Sequence, residues 1–188
     1  SNRLPWWVWV LPFFIFHGLT HLSLAFRIFP ETGALYLTEA IAVVLVHWWG
    51  LRVLPALYIN AVISAPLWGL EIGSQSLWLG FAETATVAAS WLLFRSLLKG
   101  DYALRRLNDT LLFIFFGLLI PVLIGDLIGS GFIMLFSIWE WDEIWARFPL
   151  TVLADMLAMT GVAMPILHFF SPLMSRFRLV GELKPERN

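Results

Sequence analysis

Six apolar stretches, each close to the length of a bilayer crossing, take up most of this 188-residue chain. A helical span needs about 20 mostly apolar residues. The hydrocarbon core offers no water to backbone N–H and C=O groups, so a spanning segment must satisfy them within itself. The stretches cover residues 6–26, 32–48, 52–70, 76–98, 109–138 and 147–170. The expected fold class is therefore an all-α integral membrane protein, a polytopic bundle of about six transmembrane helices. The second and third stretches are short, and the turn at His47, Trp48, Trp49 and Gly50 is tight, which leaves a re-entrant pair as the alternative to two full spans. The fifth is long and is expected to tilt or break at Pro121. The first is too long for a cleaved signal peptide and has no small-x-small site before Arg27, so it reads as a retained span.

Composition excludes the other classes. Hydrophobic residues make up 60% of the chain and charged residues 13%, against roughly 45–50% and about 25% in soluble domains. Mean hydropathy is +0.81. A soluble enzyme and a disordered regulator are ruled out. A net charge of −1 provides no basic footprint, so no nucleic acid is expected as a partner. The chain has no cysteine, which removes disulfides, thiolate metal sites and iron–sulfur clusters.

Orientation follows from the basic residues. With the N-terminus placed in the cytoplasm, only Arg27 and Arg147 of the 12 Lys and Arg residues fall outside. The outer loops carry Glu31, Glu71, Glu140, Asp142 and Glu143 instead. Both termini are therefore expected in the cytoplasm of a bacterial cell, with the chain a multi-pass protein of the inner membrane. Trp6, Trp7, Trp48, Trp49, Trp139, Trp141 and Trp145 lie near span ends, as in an aromatic belt. Residues 1–170 read as one transmembrane domain. Residues 171–188 read as a short cytoplasmic tail leading to an output domain outside this sequence or to a partner.

The most informative residues are charges placed where charge is expensive. Glu39, Glu83, Asp126 and Asp155 fall inside expected spans, as do His17 and His21. An ionised group at mid-bilayer costs at least roughly 2.5–3.5 kcal/mol on insertion scales, so such residues face the bundle interior. No Lys or Arg lies deep in any span to pair with them. At about 1.5 Å per residue, all six sit roughly 7–18 Å below the outer edge. The economical reading is a cavity open to the outside and lined by these groups. Four clustered carboxylates are compatible with shared protons, with balancing histidine charge, or with a bound cation. A His, Asp and Glu set suits zinc, nickel, iron or manganese, and His17 and His21, spaced i, i+4 on one face, are the candidate metal ligands. An organic amine fits equally, with Tyr36 and Trp side chains supplying cation–π attraction. A buried carboxyl that only hydrogen-bonds a neighbouring helix is the structural alternative for each acid. Haem is the weaker cofactor reading, because two histidines on one helix cannot clamp it from both faces. His47 and His168 lie near cytoplasmic span ends and read as structural.

Other features read as packing. Gly125 and Gly129 flank Asp126, and Ala154 and Ala158 flank Asp155, so the fifth and sixth spans are expected to meet there. Pro12, Pro55, Pro66, Pro121 and Pro165 are expected to kink helices. No nucleophile elbow, His-Glu-x-x-His or phosphate-binding loop is present, and the chain is not expected to be an enzyme.

Three segments carry a family resemblance. The first is Phe29, Pro30, Glu31, Thr32, Gly33 and Ala34, opening the second span. The second is the turn from Trp48 and Trp49 through Gly50, Leu51, Arg52, Val53 and Leu54 to Pro55 and Ala56. The third runs from Phe148 and Pro149 through Thr151 and Asp155 to Ala158, with Pro165 ten residues past the aspartate. Together they resemble the MASE1 membrane-associated sensor domain, and the resemblance covers residues 29–170. Glu31 stands where the family usually has Pro, and residues 159–161 shift a glycine, so only Gly33, Pro55, Asp155 and Pro165 carry over. His17 and His21 inherit no role from it.

The resemblance implies a sensory input module that signals to a cytoplasmic histidine kinase or diguanylate cyclase, as a homodimer, with any catalysis outside this chain. Glu39, Glu83, Asp126, Asp155 and Tyr36 are the candidate ligand-binding residues. The rival reading is the substrate-binding membrane subunit of an energy-coupling-factor vitamin or metal transporter. Residues 6–26 lack the Ala-x-x-x-Ala docking face such a subunit carries.

Overall fold

The computed structural model describes residues 6–29, 32–33, 35–136, 138, 140–177 and 179–180. Helix dominates it. The principal helices are α1 (Leu11–Ser23), α2 (Leu37–Trp49), α3 (Leu54–Ser64), α4 (Ser74–Ser90), α5 (Leu107–Leu112), α6 (Ile120–Leu135), α7 (Trp141–Ala158) and α8 (Met164–Arg176). A two-stranded antiparallel hairpin, β1 (Arg27–Phe29) and β2 (Thr32–Gly33), joins α1 to α2. Pro30, Glu31 and Ala34 of the opening MASE1-like segment lie outside the described residues, as do Trp139 of the expected aromatic belt and tail residues 178 and 181–188.

Four helical stretches are long and apolar enough to cross a bilayer: Leu37–Trp68, Ser74–Leu97, Leu107–Leu135 and Trp141–Arg176. Leu11–Phe26 is a shorter apolar helix. The membrane class expected from composition holds, with four stretches of spanning length where six were expected. The difference comes from α1, α2 and α3. Leu37–Trp68 is helical throughout but not straight, because Gly50 adopts φ +74°, which favours glycine. Thr38 at the start of α2 and Asn60 late in α3 both hydrogen-bond the Thr20 hydroxyl of α1. The chain therefore reverses at Gly50, and α2 and α3 return to the same level of α1.

α2 is the centre of the bundle. Every residue from Thr38 to Trp49 except Ile41 is buried, as expected of a helix that is apolar all round. Phe14, Leu127, Leu153 and Phe169 are exposed on the periphery, where lipid rather than water would face them.

Pro12, Pro55 and Pro66 occupy the first turn of a segment, where a missing N–H costs little. Pro121 and Pro165 each follow a widened π turn, Phe113–Leu119 and Met159–Ala163. Each has glycine four residues before it, Gly117 and Gly161. A proline ring presses on the carbonyl four residues back, and the wider turn relieves that pressure without ending the helix. The prolines inside helices are Pro149 in α7 and Pro172 in α8.

The sixth stretch begins earlier than expected. Asp142 and Glu143, assigned from sequence to an outer loop, form the first turn of α7. Acidic groups there complement the positive end of the helix dipole, and Glu143 Oε2 accepts the Glu140 N–H at 3.2 Å.

Candidate functional site

One cavity of about 170 Å³ lies between α2, α4, α6 and α7 and is partly open. Glu39, Glu83, Asp126, Asp155 and Tyr36 all line it. Each acid comes from a different helix, and the helical period brings their neighbours with them. On α7, Ile144, Phe148, Thr151 and Asp155 form a stripe at i, i+4, i+7 and i+11 along the wall. On α6, Gly125, Asp126, Gly129, Ser130 and Ile133 do the same.

The close approach that shapes the cavity is between α4 and α6. A methyl group at Gly125 would overlap the Thr86 hydroxyl. Gly125 thus fits α6 against α4, while the expected meeting of the fifth and sixth spans holds one residue on, where Asp126 of α6 approaches Asp155 of α7. Gly129 has open space where a side chain would begin, and that space adjoins the cavity.

The polar contacts are asymmetric. The Tyr36 hydroxyl donates to Glu83 Oε1 at 2.7 Å, and the Tyr36 ring meets Trp68 edge-on with centroids 5.6 Å apart. Glu39 is within hydrogen-bond reach of Thr86. Asp126 and Asp155 approach each other closely enough for a carboxyl–carboxyl hydrogen bond, a pairing that requires a proton or a cation between them. Glu83 Oε2 and Asp126 Oδ2 are buried without a hydrogen-bond partner. Buried polar atoms are nearly always satisfied, so two orphans on one cavity wall are a notable exception. The described residues lining the cavity include no Lys, Arg or His.

The two histidines stand elsewhere. His17 and His21 lie on α1 and do not line the cavity. Their Nε2 atoms are 3.3 Å apart, and His17 Nδ1 is 3.3 Å from Asn60 Oδ1. Among the described residues, no group of three or more His, Asp or Glu side chains is arranged to hold a metal ion. The single six-residue site expected from depth alone is therefore divided, with the acids and Tyr36 together and the histidine pair apart. Equal depth fixes a residue's height in the membrane but not its direction around its own helix.

Sequence reasoning missed Trp68, Thr86, Ser130, Phe148 and Thr151, which also line the cavity. Helical spacing carried the signal for four of them. Thr86 is three residues past Glu83, Ser130 four past Asp126, and Thr151 and Phe148 four and seven before Asp155. Trp68 had no such signal, because it reaches the cavity from the 3₁₀ turn Ala65–Trp68.

The far end of α2 has another character. His47 is buried, with Nδ1 bonded to the Val43 carbonyl at 2.8 Å, and packs against Phe94 and Phe113. Trp48 Nε1 donates to Ser171 Oγ at 2.9 Å, and Trp49 Nε1 to the Leu179 carbonyl at 2.8 Å. His168 Nδ1 lies 3.3 Å from the Leu104 carbonyl. Helix α2 thus runs from the acidic cavity to the end of α8 and the first residues after it.

The MASE1 family model matches residues 8–186. The chain is a member of the MASE1 family. The match covers essentially the whole sequence and takes in α1, beyond the 29–170 stretch that the motifs alone indicated. MASE1 is a membrane-associated sensory domain, an input module and not itself a catalyst. No curated protein and no solved structure matches the chain.

Proposed function

We propose that this MASE1 domain senses a small organic cation through the acidic cavity and passes the signal along α2 to the cytoplasmic end of α8. The observation that carries the reading is the pair of unpartnered buried oxygens, Glu83 Oε2 and Asp126 Oδ2, on a cavity without a lining cation. A ligand with N–H donors and positive charge would satisfy both. Tyr36 and Phe148, which line the cavity, favour an organic ammonium over a bare ion, through cation–π attraction. The volume of about 170 Å³ accommodates several waters, or a small organic ligand of that bulk.

Ligand binding shifts a conformational equilibrium only through different affinity for its two states. α2 and α7 supply the differential contacts. Glu39 sits in the first turn of α2, whose other end donates through Trp48 and Trp49 to Ser171 and Leu179. Asp155 sits on α7, and the π turn Met159–Ala163 joins it to α8. A ligand drawing the acids together would reset both connections. In this reading the distribution of Lys and Arg puts both termini in the cytoplasm of a bacterial cell, with the chain crossing the inner membrane six times and α1, α2 and α3 as its short crossings. The output is a histidine kinase or diguanylate cyclase reached through the tail, and the domain works as a homodimer.

Thermal unfolding of the detergent-solubilised domain against a panel of small primary and secondary amines, with quaternary ammonium ions as the control without N–H donors, tests the binding step. An amine that raises the melting temperature of the wild type, but not of Glu83→Gln or Asp126→Asn, is the expected result. An equal rise in the variants, or no response to any amine, removes the site.

A further inference from the structure

The His17–His21 pair belongs to no part of the acidic cavity, yet its surroundings are organised. Asn60 is fully buried, and its amide orientation is set by its neighbours. Asn60 Nδ2 donates to Thr20 Oγ1 at 3.0 Å. Thr20 and Thr38 hydroxyls are 2.9 Å apart, and Thr38 donates onward to the Phe16 carbonyl at 3.4 Å. These bonds form a directional chain in which Thr20 accepts from the amide nitrogen and donates to Thr38. The Asn60 oxygen is therefore the atom turned to His17, and it also accepts from Ser64 Oγ at 3.3 Å.

An acceptor facing His17 Nδ1 requires the proton to sit on that nitrogen, which leaves Nε2 of the neutral ring with a free lone pair. Phe13 stacks on the His17 ring at a centroid distance of 5.9 Å and 8° between planes, which holds its orientation. His21, one turn later and exposed, brings its own Nε2 to 3.3 Å from that lone pair. Tetrahedral coordination with metal–nitrogen bonds of roughly 2.0–2.1 Å separates neighbouring nitrogens by about 3.3 Å. A ligating imidazole whose second nitrogen is fixed by an outer hydrogen bond is the usual arrangement at protein metal sites.

We propose that His17 and His21 form a two-histidine site for a borderline transition-metal dication such as Cu²⁺ or Zn²⁺, with Asn60 as the outer residue that fixes the His17 tautomer. Imidazole nitrogen is the donor these ions prefer among the side chains present on α1. Water would complete the coordination, since His21 lies in the last turn of α1, one short 3₁₀ turn before the hairpin strand that begins at Arg27. The Asn60–Thr20–Thr38 chain then leads from the ion to the residue next to Glu39, so the site is placed to modulate the cavity while remaining separate from it.

Cu²⁺ titrated into the purified, detergent-solubilised chain, prepared without a polyhistidine tag and followed by electron paramagnetic resonance, tests this. One ion per chain with two nitrogen ligands is expected. His21→Ala and His17→Gln should each abolish the two-nitrogen signal, and Asn60→Ala should weaken binding about tenfold or more. Glu39→Gln/Asp126→Asn should bind as the wild type does. His21→Ala removes an exposed side chain, so an unchanged melting temperature separates lost binding from lost folding. Copper held equally well by His21→Ala, or held by the wild type but lost in the carboxyl double variant, overturns the proposal. The first result removes the histidine site, and the second moves the ion to the acidic cavity.

Discussion

The two ends of α2 are built on opposite principles. At one end Glu39 faces a cavity with three further acids, and two buried oxygens lack partners. At the other, His47 packs against the rings of Phe94 and Phe113, which also meet each other with centroids 4.9 Å apart, and two tryptophan N–H groups are bonded to Ser171 of α8 and to Leu179 after it. Unsatisfied groups at the first end line a cavity, whereas at the second, where His47 Nε2 also has no hydrogen-bond partner, aromatic rings fill the space. An unsatisfied, hollow region can respond to a ligand, while a close-packed one transmits displacement because it has few alternative arrangements. One helix joining both is what a sensor domain requires.

The largest effect should come from breaking the packed end. Phe113→Ala removes a fully buried ring between His47, Phe94 and Gly117. A loss of about 3–5 kcal/mol is expected, read from unfolding in mixed detergent. A loss under about 1 kcal/mol would mean this end is not close-packed, and the contrast between the ends would collapse.

Gly125→Ala attacks the wall between the ends. The added methyl meets Thr86, so α4 and α6 must separate. The cost should be about 1–3 kcal/mol, with loss of any amine-induced thermal shift. Thr86→Ala in the same background should recover part of the stability.

At the hollow end, Tyr36→Phe deletes the 2.7 Å bond to Glu83 Oε1 and leaves both oxygens of that acid unpartnered. Destabilisation of about 1–3 kcal/mol is expected, and Glu83→Gln in the Tyr36→Phe background should recover part of it. Unchanged stability in Tyr36→Phe would show that water already serves Glu83.

Trp49→Phe keeps most of the ring but removes the donor to Leu179. Global stability should fall by only about 0.5–1.5 kcal/mol, while limited proteolysis beyond residue 177 should speed up markedly. Equal cleavage rates would detach the tail from α2.

The last effect appears only at high pH and concerns the loop between α4 and α5. Burial pushes the Tyr102 hydroxyl up to about 12, with the Arg95 guanidinium 4.5 Å from the ring working against that rise. In the unfolded chain the phenol ionises near 10. The stability this residue contributes is therefore complete below about pH 10 and is lost as pH rises towards 12. Tyrosinate absorbance in Tyr102→Phe against the wild type measures it.

Much of this was legible in the residues. Apolar run lengths gave the membrane class and placed the stretches Ser74–Leu97 and Leu107–Leu135 to within a few residues. The expense of intramembrane charge picked out the four acids that share the cavity. Around α1, α2 and α3 run length left the number of crossings open, because a reversal at one glycine, where the tight turn was expected, and a 3₁₀ ending shorten helices without altering hydropathy. Asp142 and Glu143 looked like loop residues because acidity alone does not distinguish a loop from a helix N-terminus.

The sequence by itself determined that the chain must lie in a bilayer, that its acids must turn inward, and that MASE1-like segments bracket its second and last spans. Those conclusions depend on transfer energies and local spacing, which act residue by residue. Only the tertiary structure decided that Gly125 fits against Thr86, that Trp68 joins the cavity, and that His17 pairs with Asn60 away from the acids. Each of these depends on how far a helix is rotated about its axis and which neighbour it meets. Packing among all the helices sets that angle at once, and hydropathy along one chain does not record it.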